Sequence, residues 1–178
     1  MEETFVSFKA RLSRKDRIKE LLLNHCKATP VGVYHQIDTF FKVPHGKMKV
    51  RELVGKEGAH LIYYEREDSK ASKRSKVWST KINDPTPLKE ILSKLFPVDV
   101  IVDKEREIFM CDGVQVRLDV VKDLGPFIEL EKEVVGDLQA IHDGYYILED
   151  MIKTLNVEES AVEEDSYSDL LHRAMKAK

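Results

Sequence analysis

The sequence predicts an α+β domain dominated by antiparallel β-sheet. Short stretches alternate apolar and polar residues at every second position, which is typical of strands with one buried face. Pro, Gly and Asp punctuate these stretches, and a few other segments carry apolar residues at helical spacing. The chain has 178 residues, which predicts a single domain over residues 1–178 with a core of its own.

Each element follows from its local pattern. Alternation predicts strands over residues 4–12, 35–43, 47–53, 61–67, 76–82, 99–104 and 106–111 (separate or one long strand), 114–121 and 127–134. Helical spacing predicts helices over residues 14–27, 88–96 and 137–155, and a short terminal helix from Ser168. Ser13 is the expected N-cap of the first helix, and Pro30 and Gly32 are expected to break the chain after it. An Asp112-Gly113 hairpin turn and a polar loop over residues 68–73 are also predicted.

The C-terminal region, residues 158–178, differs from the rest in charge. Four glutamates and an aspartate lie between residues 158 and 165, which predicts a solvated acidic linker before the C-terminal segment. The rest of the chain has no comparable linker, so the boundaries of the single domain stay at residues 1 and 178.

Composition excludes several classes of protein. No apolar run approaches the roughly 18–20 residues of a membrane span, and the acidic start Met1-Glu2-Glu3 is unlike a secretory signal. Two cysteines, Cys26 and Cys111, are too few for a disulfide scaffold or a Cys-rich zinc site, so we expect a cytoplasmic protein. With 29 Lys+Arg against 32 Asp+Glu, the net charge of -3 argues against a nucleic-acid binder. Net charge does not say where the charges lie.

The polar faces of successive strands carry an unusual set of charges. Basic residues lie two apart, or singly at a comparable position, in most strands: Lys9 and Arg11, Lys49 and Arg51, Arg66, Lys104 and Arg106. The next strand holds Arg117 and Asp119 on one face, and the last holds Glu129 and Glu131. Acids therefore gather on the last two strands, and basic residues on the others.

Two interpretations of this pattern are open. In the first, these are solvent-facing positions of half-exposed strands, and the sheet has no site. In the second, the sheet closes into a barrel, and the alternate residues point inward together. Buried cations need anions, so a polyanion such as a triphosphate would then fill the interior. The carboxylates would suit an oxygen-liganded Mg²⁺ or Mn²⁺.

The chain resembles the CYTH family of triphosphate tunnel enzymes, which includes class IV adenylate cyclases and thiamine triphosphatases. The segments that carry the resemblance occur in family order along nearly the whole chain: Asp38-Thr-Phe-Phe, Val43-Pro-His-Gly-Lys-Met-Lys-Val-Arg51, Leu61-Ile-Tyr-Tyr-Glu-Arg66, Lys104-Glu-Arg106, Val116-Arg-Leu-Asp119, Leu124-Gly-Pro-Phe-Ile-Glu-Leu-Glu131 and Ser166-Tyr-Ser-Asp-Leu-Leu171. It is closest to the cyclase-like branch. The resemblance implies a closed antiparallel barrel of about eight strands with flanking helices.

The resemblance also implies a site. By motif, the phosphate-binding set is Lys9, Arg11, Lys49, Arg51, Arg66, Lys104, Arg106 and Arg117, the last standing where the cyclase-like branch often has His. Asp119, Glu129 and Glu131 are the implied ligands of Mg²⁺ or Mn²⁺. The implied partner is a small molecule that contains a triphosphate: ATP, thiamine triphosphate or tripolyphosphate. The sequence leaves the oligomeric state open.

One departure from the family bears on activity. The family signature E-x-E-x-K places its lysine at Lys9, so Phe5 and Ser7 stand where the two glutamates belong. Glu3 has the same parity but lies one pair earlier. The expected function is therefore metal-dependent chemistry on a triphosphate, as a triphosphatase or an adenylate cyclase-like enzyme. The alternative is a nucleotide- or polyphosphate-binding module whose catalysis is impaired by the loss of these glutamates.

Overall fold

Eight strands pair into a closed antiparallel barrel in the computed structural model, which describes residues 2–67 and 73–178. The strands are β1 (Glu2–Arg11), β2 (Thr29–Phe41), β3 (Lys47–Leu53), β4 (Ala59–Arg66), β5 (Lys73–Ile82), β6 (Val98–Cys111), β7 (Val114–Val121) and β8 (Gly125–Glu133). Their order around the barrel is β1-β5-β4-β3-β2-β6-β7-β8, and β8 pairs with β1. The predicted fold class is confirmed.

Four α-helices and one short 3₁₀-helix flank the barrel in the described residues. They are α1 (Lys15–Asn24), α2 (Pro85–Leu95), α3 (Leu138–Thr154), a 3₁₀-helix (Glu159–Ala161) and α4 (Tyr167–Lys176). Asp137 and Ser166 cap α3 and α4 with side-chain hydrogen bonds. The prediction that Ser13 caps α1 is wrong, because Arg14 occupies the N-cap position and makes no side-chain bond there. None of the helices described is long and apolar enough to span a membrane.

The bounds of β2 differ most from the prediction. β2 begins at Thr29, because Pro30 and Gly32 are accommodated at a bulge against β6 rather than ending the pairing. The two stretches predicted over residues 99–111 form one long strand, β6. Most of the polar loop predicted over residues 68–73 lies outside the described residues, and Lys73 begins β5. The predicted turn is present, with positive φ at both Asp112 and Gly113, as a tight hairpin of this type requires.

The main apolar core lies outside the barrel, under α1 and α3. The outward-facing residues Val6, Phe8 and Ala10 of β1 pack there with residues of β7 and β8. Ile18 and Leu22 of α1 lie against the same core, as the helical spacing predicted. Because side chains alternate along a strand, the opposite residues of β1 must face the barrel interior. This alternation positions the charged residues inside.

Candidate functional site

The inward faces of all eight strands line one cavity of about 250 Å³. Seven cations line it in the part of the chain described: Lys9, Lys49, Arg51, Arg66, Lys104, Arg106 and Arg117. Four carboxylates line it as well: Glu3, Asp38, Glu129 and Glu131. The structure thus brings together every residue of the predicted phosphate-binding set except Arg11.

Arg11 lies beyond the end of the cavity. Its guanidinium stacks over the Phe127 ring, with 4.9 Å from Cζ to the ring centroid, and its Nε lies 3.6 Å from a Glu163 carboxylate oxygen. The Arg11 side chain is 49% exposed. The alternation predicts the correct face of β1 for Arg11. However, Arg11 is the last residue of the strand and lies beyond the barrel interior, so it does not line the cavity.

Asp38 of β2 holds three cations from two neighbouring strands. Arg51 donates two hydrogen bonds of 2.7 Å to its carboxylate, through Nε and Nη2. Lys49 and Lys104 donate to Asp38 Oδ2 from 3.1 and 3.0 Å. Burial alone would raise the pKa of Asp38, but these cations hold it well below its usual value. We call these four residues the Asp38 cluster.

A second group of charges lies on β6, β7 and β8. Arg106 donates to both oxygens of Asp119 at 2.7 Å and to Glu129 Oε2 at 2.7 Å. Arg117 contacts Glu129 Oε2 at 3.5 Å and Glu131 Oε2 at 3.1 Å. Burial would raise the pKa of Glu129, yet Arg106 and Arg117 hold it well below its usual value. We call these five residues the carboxylate cluster: Arg106, Arg117, Asp119, Glu129 and Glu131.

The three predicted metal ligands differ in how well they fit a divalent ion. Asp119 does not fit in this arrangement, because it is fully buried and accepts bonds from Arg106 and from the Tyr167 hydroxyl, the latter at 2.7 Å. Glu129 and Glu131 fit better, since both line the cavity and offer carboxylate oxygens. Within residues 2–67 and 73–178, no group of three or more His, Cys, Asp or Glu side chains is positioned to hold an ion alone. Mg²⁺ commonly binds one or two carboxylates together with phosphate oxygens. Glu129 and Glu131 therefore suit a divalent ion that also binds phosphate oxygens.

Two cations of the cavity have no carboxylate hydrogen-bonded to them among the described residues. Lys9 Nζ donates to the Asp165 backbone carbonyl at 2.9 Å, and Arg66 Nε is buried with no hydrogen-bond partner in the described part of the chain. Burial lowers the pKa of Lys9 to about 8, and the nearby Arg66 adds to this effect. Burial likewise lowers the pKa of Lys104 to about 8. Burial in the cavity therefore disfavours the charged forms of both lysines.

The C-terminal segment covers one end of the cavity. Ser166 and Tyr167 line it, and Lys47 of β3 donates to Ser168 Oγ at 2.8 Å and Asp169 Oδ1 at 2.6 Å. The acidic stretch before α4 does not run freely through solvent, since Val162 forms a β-bridge with Ala10. The expectation of a solvated linker over residues 158–165 therefore does not describe how this stretch packs against β1.

The first-strand signature positions face the cavity. Phe5 and Ser7 both line it, and so does Glu3, which lies opposite Val77 within β1 rather than at a frayed end. The cavity therefore has the geometry for two further carboxylates at positions 5 and 7, but the sequence supplies a phenyl ring and a hydroxyl.

Sequence reasoning missed Asp38 and Tyr167. Both lie in segments that resemble the CYTH family, but neither is among the predicted site residues. The inference that acids gather on the last two strands is wrong, because Asp38 is buried inside the barrel on β2. Asp38 has the parity of Phe40, which also lines the cavity, and this parity was the available signal. Tyr167 stacks against Lys9, with 4.3 Å from Nζ to the ring centroid, and no local pattern predicts that contact.

Comparison with known proteins assigns the chain to a family. It belongs to the CYTH domain family, whose model matches residues 5–167. It is 28% identical over 142 residues to "Putative adenylate cyclase MJ0240" of Methanocaldococcus jannaschii, covering 77% of each chain. The fold is similar to that of the PH1012 protein from Pyrococcus horikoshii, with a TM-score of 0.82, 24% identity and coverage of 96% of this chain and 99% of that one. It is also similar to Hippeastrum HpAC1, for which a dominant triphosphatase activity is described; the TM-score is 0.65, the identity 13%, and the coverage 99% and 96%.

Proposed function

We propose that the cavity binds a triphosphate and that the chain carries out metal-dependent chemistry on it. The observation that carries this proposal is the set of seven cations, from five strands, that line a single cavity with fewer carboxylates. Buried like charges are unfavourable without anions, and a triphosphate offers several negative charges and many acceptor oxygens in a row. Membership of the CYTH domain family supports a ligand of this type.

The cations and carboxylates of the cavity would have different roles. Arginine suits bidentate contact with phosphate, and lysine neutralises charge at a point, so Arg51, Arg66 and Lys104 would hold the ligand and stabilise charge that develops at phosphorus. Glu129 and Glu131 would hold Mg²⁺ or Mn²⁺ together with phosphate oxygens. A bound ion would polarise those oxygens and orient the reacting groups.

Two reactions are compatible with this arrangement. Attack by water breaks a phosphoanhydride bond and makes the chain a triphosphatase, which is the activity described for the Hippeastrum protein. Attack by the ribose 3′-hydroxyl of ATP on the α-phosphorus releases pyrophosphate and gives cyclic AMP, as the name of the Methanocaldococcus relative suggests. A test of the function must therefore measure the products of both reactions.

A second candidate is a binding module without turnover. The observation that favours it is the pairing of Arg117 with both Glu129 and Glu131, which engages the two carboxylates best suited to a metal. Phe5 and Ser7 add no carboxylate in compensation. In this case the cavity would hold a nucleotide or polyphosphate and release it unchanged.

One experiment separates the two candidates. The protein is incubated with ATP, thiamine triphosphate or tripolyphosphate and Mg²⁺ or Mn²⁺, and phosphate, pyrophosphate and cyclic AMP are measured. A matched pair of variants controls it: Arg66→Ala removes a guanidinium from the cavity, and Arg74→Ala removes one that pairs with Glu67 outside it. We expect metal-dependent turnover that falls on the order of tenfold to a hundredfold in Arg66→Ala and is unchanged in Arg74→Ala.

The outcomes are distinct. Tripolyphosphate that raises the melting temperature without any turnover supports the binding module and overturns the enzyme. No rise in melting temperature with any of the three ligands overturns both. The double variant Phe5→Glu, Ser7→Glu should raise metal-dependent activity, because it restores the two carboxylates of the first strand.

A further inference from the structure

The two cysteines of the chain meet at one place on the outside of the barrel. Cys26 lies just after α1, and Cys111 is the last residue of β6, 85 positions further along the chain. Both are free thiols. The Cys111 thiol donates to the Cys26 backbone carbonyl, with 3.4 Å from Sγ to the oxygen, and a side-chain hydrogen bond links the two thiols. Neither cysteine lines the barrel cavity, so the proposed function does not use them.

The backbone on both sides of this contact is fixed. The Cys26 amide donates to the Leu21 carbonyl at 3.0 Å, which holds Cys26 against the end of α1. Cys111 pairs with Val114 across the hairpin turn between β6 and β7. Cys111 belongs to the main core, and Cys26 packs against that core. Because a disulfide forms without strain only between cysteines whose backbones already lie close, this fixed contact favours one.

A crosslink at this contact would join two strands where their pairing is irregular. β2 begins shortly after Cys26, and its first residues pair with the end of β6, which Cys111 completes. The register of this pair shifts between Pro30 and Gly32, and a proline has no amide hydrogen to donate to the ladder. A covalent bond between the two cysteines would therefore hold the weakest end of the β2–β6 pair.

One of the two thiols is accessible to an oxidant. Both cysteines line a surface cavity of about 520 Å³ together with residues of α3, and no residue of this cavity lines the barrel cavity. Cys26 is partly exposed, whereas Cys111 is only 6% exposed. An oxidant would therefore react first with Cys26, and Cys111 would complete the bond.

We infer that Cys26 and Cys111 are a modification site, at which a small organic disulfide such as glutathione disulfide converts the two thiols into an intramolecular disulfide that clamps β2 to β6. The Cys26 thiolate attacks the sulfur–sulfur bond of the oxidant, forms a mixed disulfide and releases one small thiol. The Cys111 thiolate then attacks Cys26 Sγ and releases the second small thiol. The protein loses two electrons and two protons, and the oxidant takes them up as two thiols.

Burial should slow this reaction at neutral pH. It raises the pKa of both thiols, and the nearby Asp112 carboxylate adds to this effect. The thiolate is the reacting species, so the disulfide should form slowly at pH 7 and faster as pH rises. The bond closes a loop of 85 residues and restricts the unfolded chain. We therefore expect it to raise the melting temperature on the order of 10 °C.

The test incubates the full chain with excess glutathione disulfide at pH 7 and pH 8.5. Free thiols are counted, the intact mass is measured, and crosslinked peptides are mapped by mass spectrometry. We expect a chain that has lost the mass of two hydrogen atoms, with Cys26 linked to Cys111 and no glutathione attached. The melting temperature should rise as the bond forms, and dithiothreitol should reverse both changes.

Two variants control this test. Cys26→Ser replaces the more exposed thiol with a hydroxyl, and its melting temperature should not respond to glutathione disulfide. Cys111→Ser should stop at the mixed disulfide on Cys26, so it gives an independent readout should Cys26→Ser not fold.

Four results would each overturn the inference. They are a mixed disulfide that persists on Cys26 in the wild-type protein, a disulfide between two chains, two thiols that stay free on prolonged incubation at pH 8.5, and an intramolecular bond that leaves the melting temperature unchanged. None of these results bears on triphosphate binding, because the two sites share no residue.

Discussion

The two sides of the barrel interior differ in how many charged side chains they carry. The charged wall, which combines the Asp38 cluster and the carboxylate cluster, lies on β3, β2, β6, β7 and β8. There each carboxylate binds one or more cations at hydrogen-bonding distance. The side on β1, β5 and β4 has more phenyl, aliphatic and hydroxyl side chains, although Glu3, Lys9 and Arg66 also line the cavity from these strands; we call its uncharged residues the neutral wall: Phe5, Ser7, Ile62, Ser75, Val77 and Ser79. Both walls belong to one closed sheet with the same alternation, so the backbone does not distinguish them.

The two walls also differ in whether their side chains require charged partners. Buried ions are stable only with partners, so the charged wall is already satisfied by internal ion pairs that a ligand must reorganise. The neutral wall needs no partner to fold, and its residues can vary without a large effect on stability. Substitutions in the charged wall should therefore affect folding and phosphate binding more than substitutions in the neutral wall do. Substitutions on each wall can test this division.

The largest effect is expected at Asp38. Asp38→Asn removes the one carboxylate that Lys49, Arg51 and Lys104 share, and leaves buried cations uncompensated. We expect the free energy of unfolding to fall by about 3–5 kcal/mol, measured by urea denaturation. Saturating tripolyphosphate should restore part of the loss by supplying anionic charge.

The matched variant on the neutral wall is Ser79→Ala, which should change the free energy of unfolding by no more than about 0.5 kcal/mol. If Asp38→Asn is as mild as Ser79→Ala, the ion pairs do not support the fold and the division between the walls is incorrect.

The alternation in the sequence predicts which side chains face the barrel interior, but not which strands become neighbours. The period of two assigned the correct face to Lys9, Lys49, Arg66 and Glu129, because every strand has one face toward the interior. It could not show that Asp38 is the shared partner of cations on β3 and β6, since this depends on which strands become neighbours in the closed barrel. Alternation also could not show that Arg11 lies outside the cavity, because it does not indicate at which residue a strand extends beyond the barrel interior.

A smaller but specific effect is expected at Arg117, which pairs with the carboxylates best suited to a metal. Arg117→Ala removes this cation, which frees Glu131 and leaves Glu129 paired with Arg106 alone. A divalent ion bound there would no longer be repelled by the guanidinium that now contacts both carboxylates. We therefore expect Mn²⁺ affinity to increase by roughly tenfold or more. The measurement is calorimetric titration of Mn²⁺ without triphosphate.

The control for this prediction is the double variant Arg117→Ala, Glu131→Gln. It should lose the gain in Mn²⁺ affinity, because the carboxylate that Arg117→Ala frees is then gone and Glu129 stays paired with Arg106. An affinity that does not increase in Arg117→Ala would mean that Arg117 does not compete with a metal.

The pH dependence of ligand binding gives a third test. Lys9 and Lys104 have folded pKa values of about 8, lowered mainly by burial, so both lose their protons as pH rises through 8. A bound anion favours the charged lysine, so triphosphate affinity should fall above pH 8, by up to about tenfold per pH unit for each lysine. The terminal phosphate of the ligand is already ionised in this range and adds no such dependence.

Stability of the ligand-free protein should change in the opposite direction. The unfolded lysines hold their protons to higher pH, so between pH 8 and the ordinary lysine pKa the unfolded state binds more protons, and these two groups make folding more favourable as pH rises. Calorimetry in two buffers of different ionisation enthalpy at pH 8.5 should detect proton uptake on binding. Affinity that is flat between pH 7 and 9.5 would mean that neither lysine faces the ligand.

The smallest effect is expected at Tyr167, which couples the C-terminal segment to the charged wall. Its hydroxyl donates to Asp119 at 2.7 Å, while its ring contacts Lys9 and lies 5.1 Å from the Phe127 ring, centroid to centroid. Tyr167→Phe keeps the ring contacts and removes one hydrogen bond to a carboxylate that Arg106 already holds at both oxygens. We expect a loss of about 1 kcal/mol in the free energy of unfolding, measured by urea denaturation. Tyr167→Ala should cost several times more, because it also removes the buried ring that joins α4 to the barrel. Equal losses in the two variants would mean that the hydroxyl, rather than the ring, attaches the segment, and the charged wall would then extend into α4.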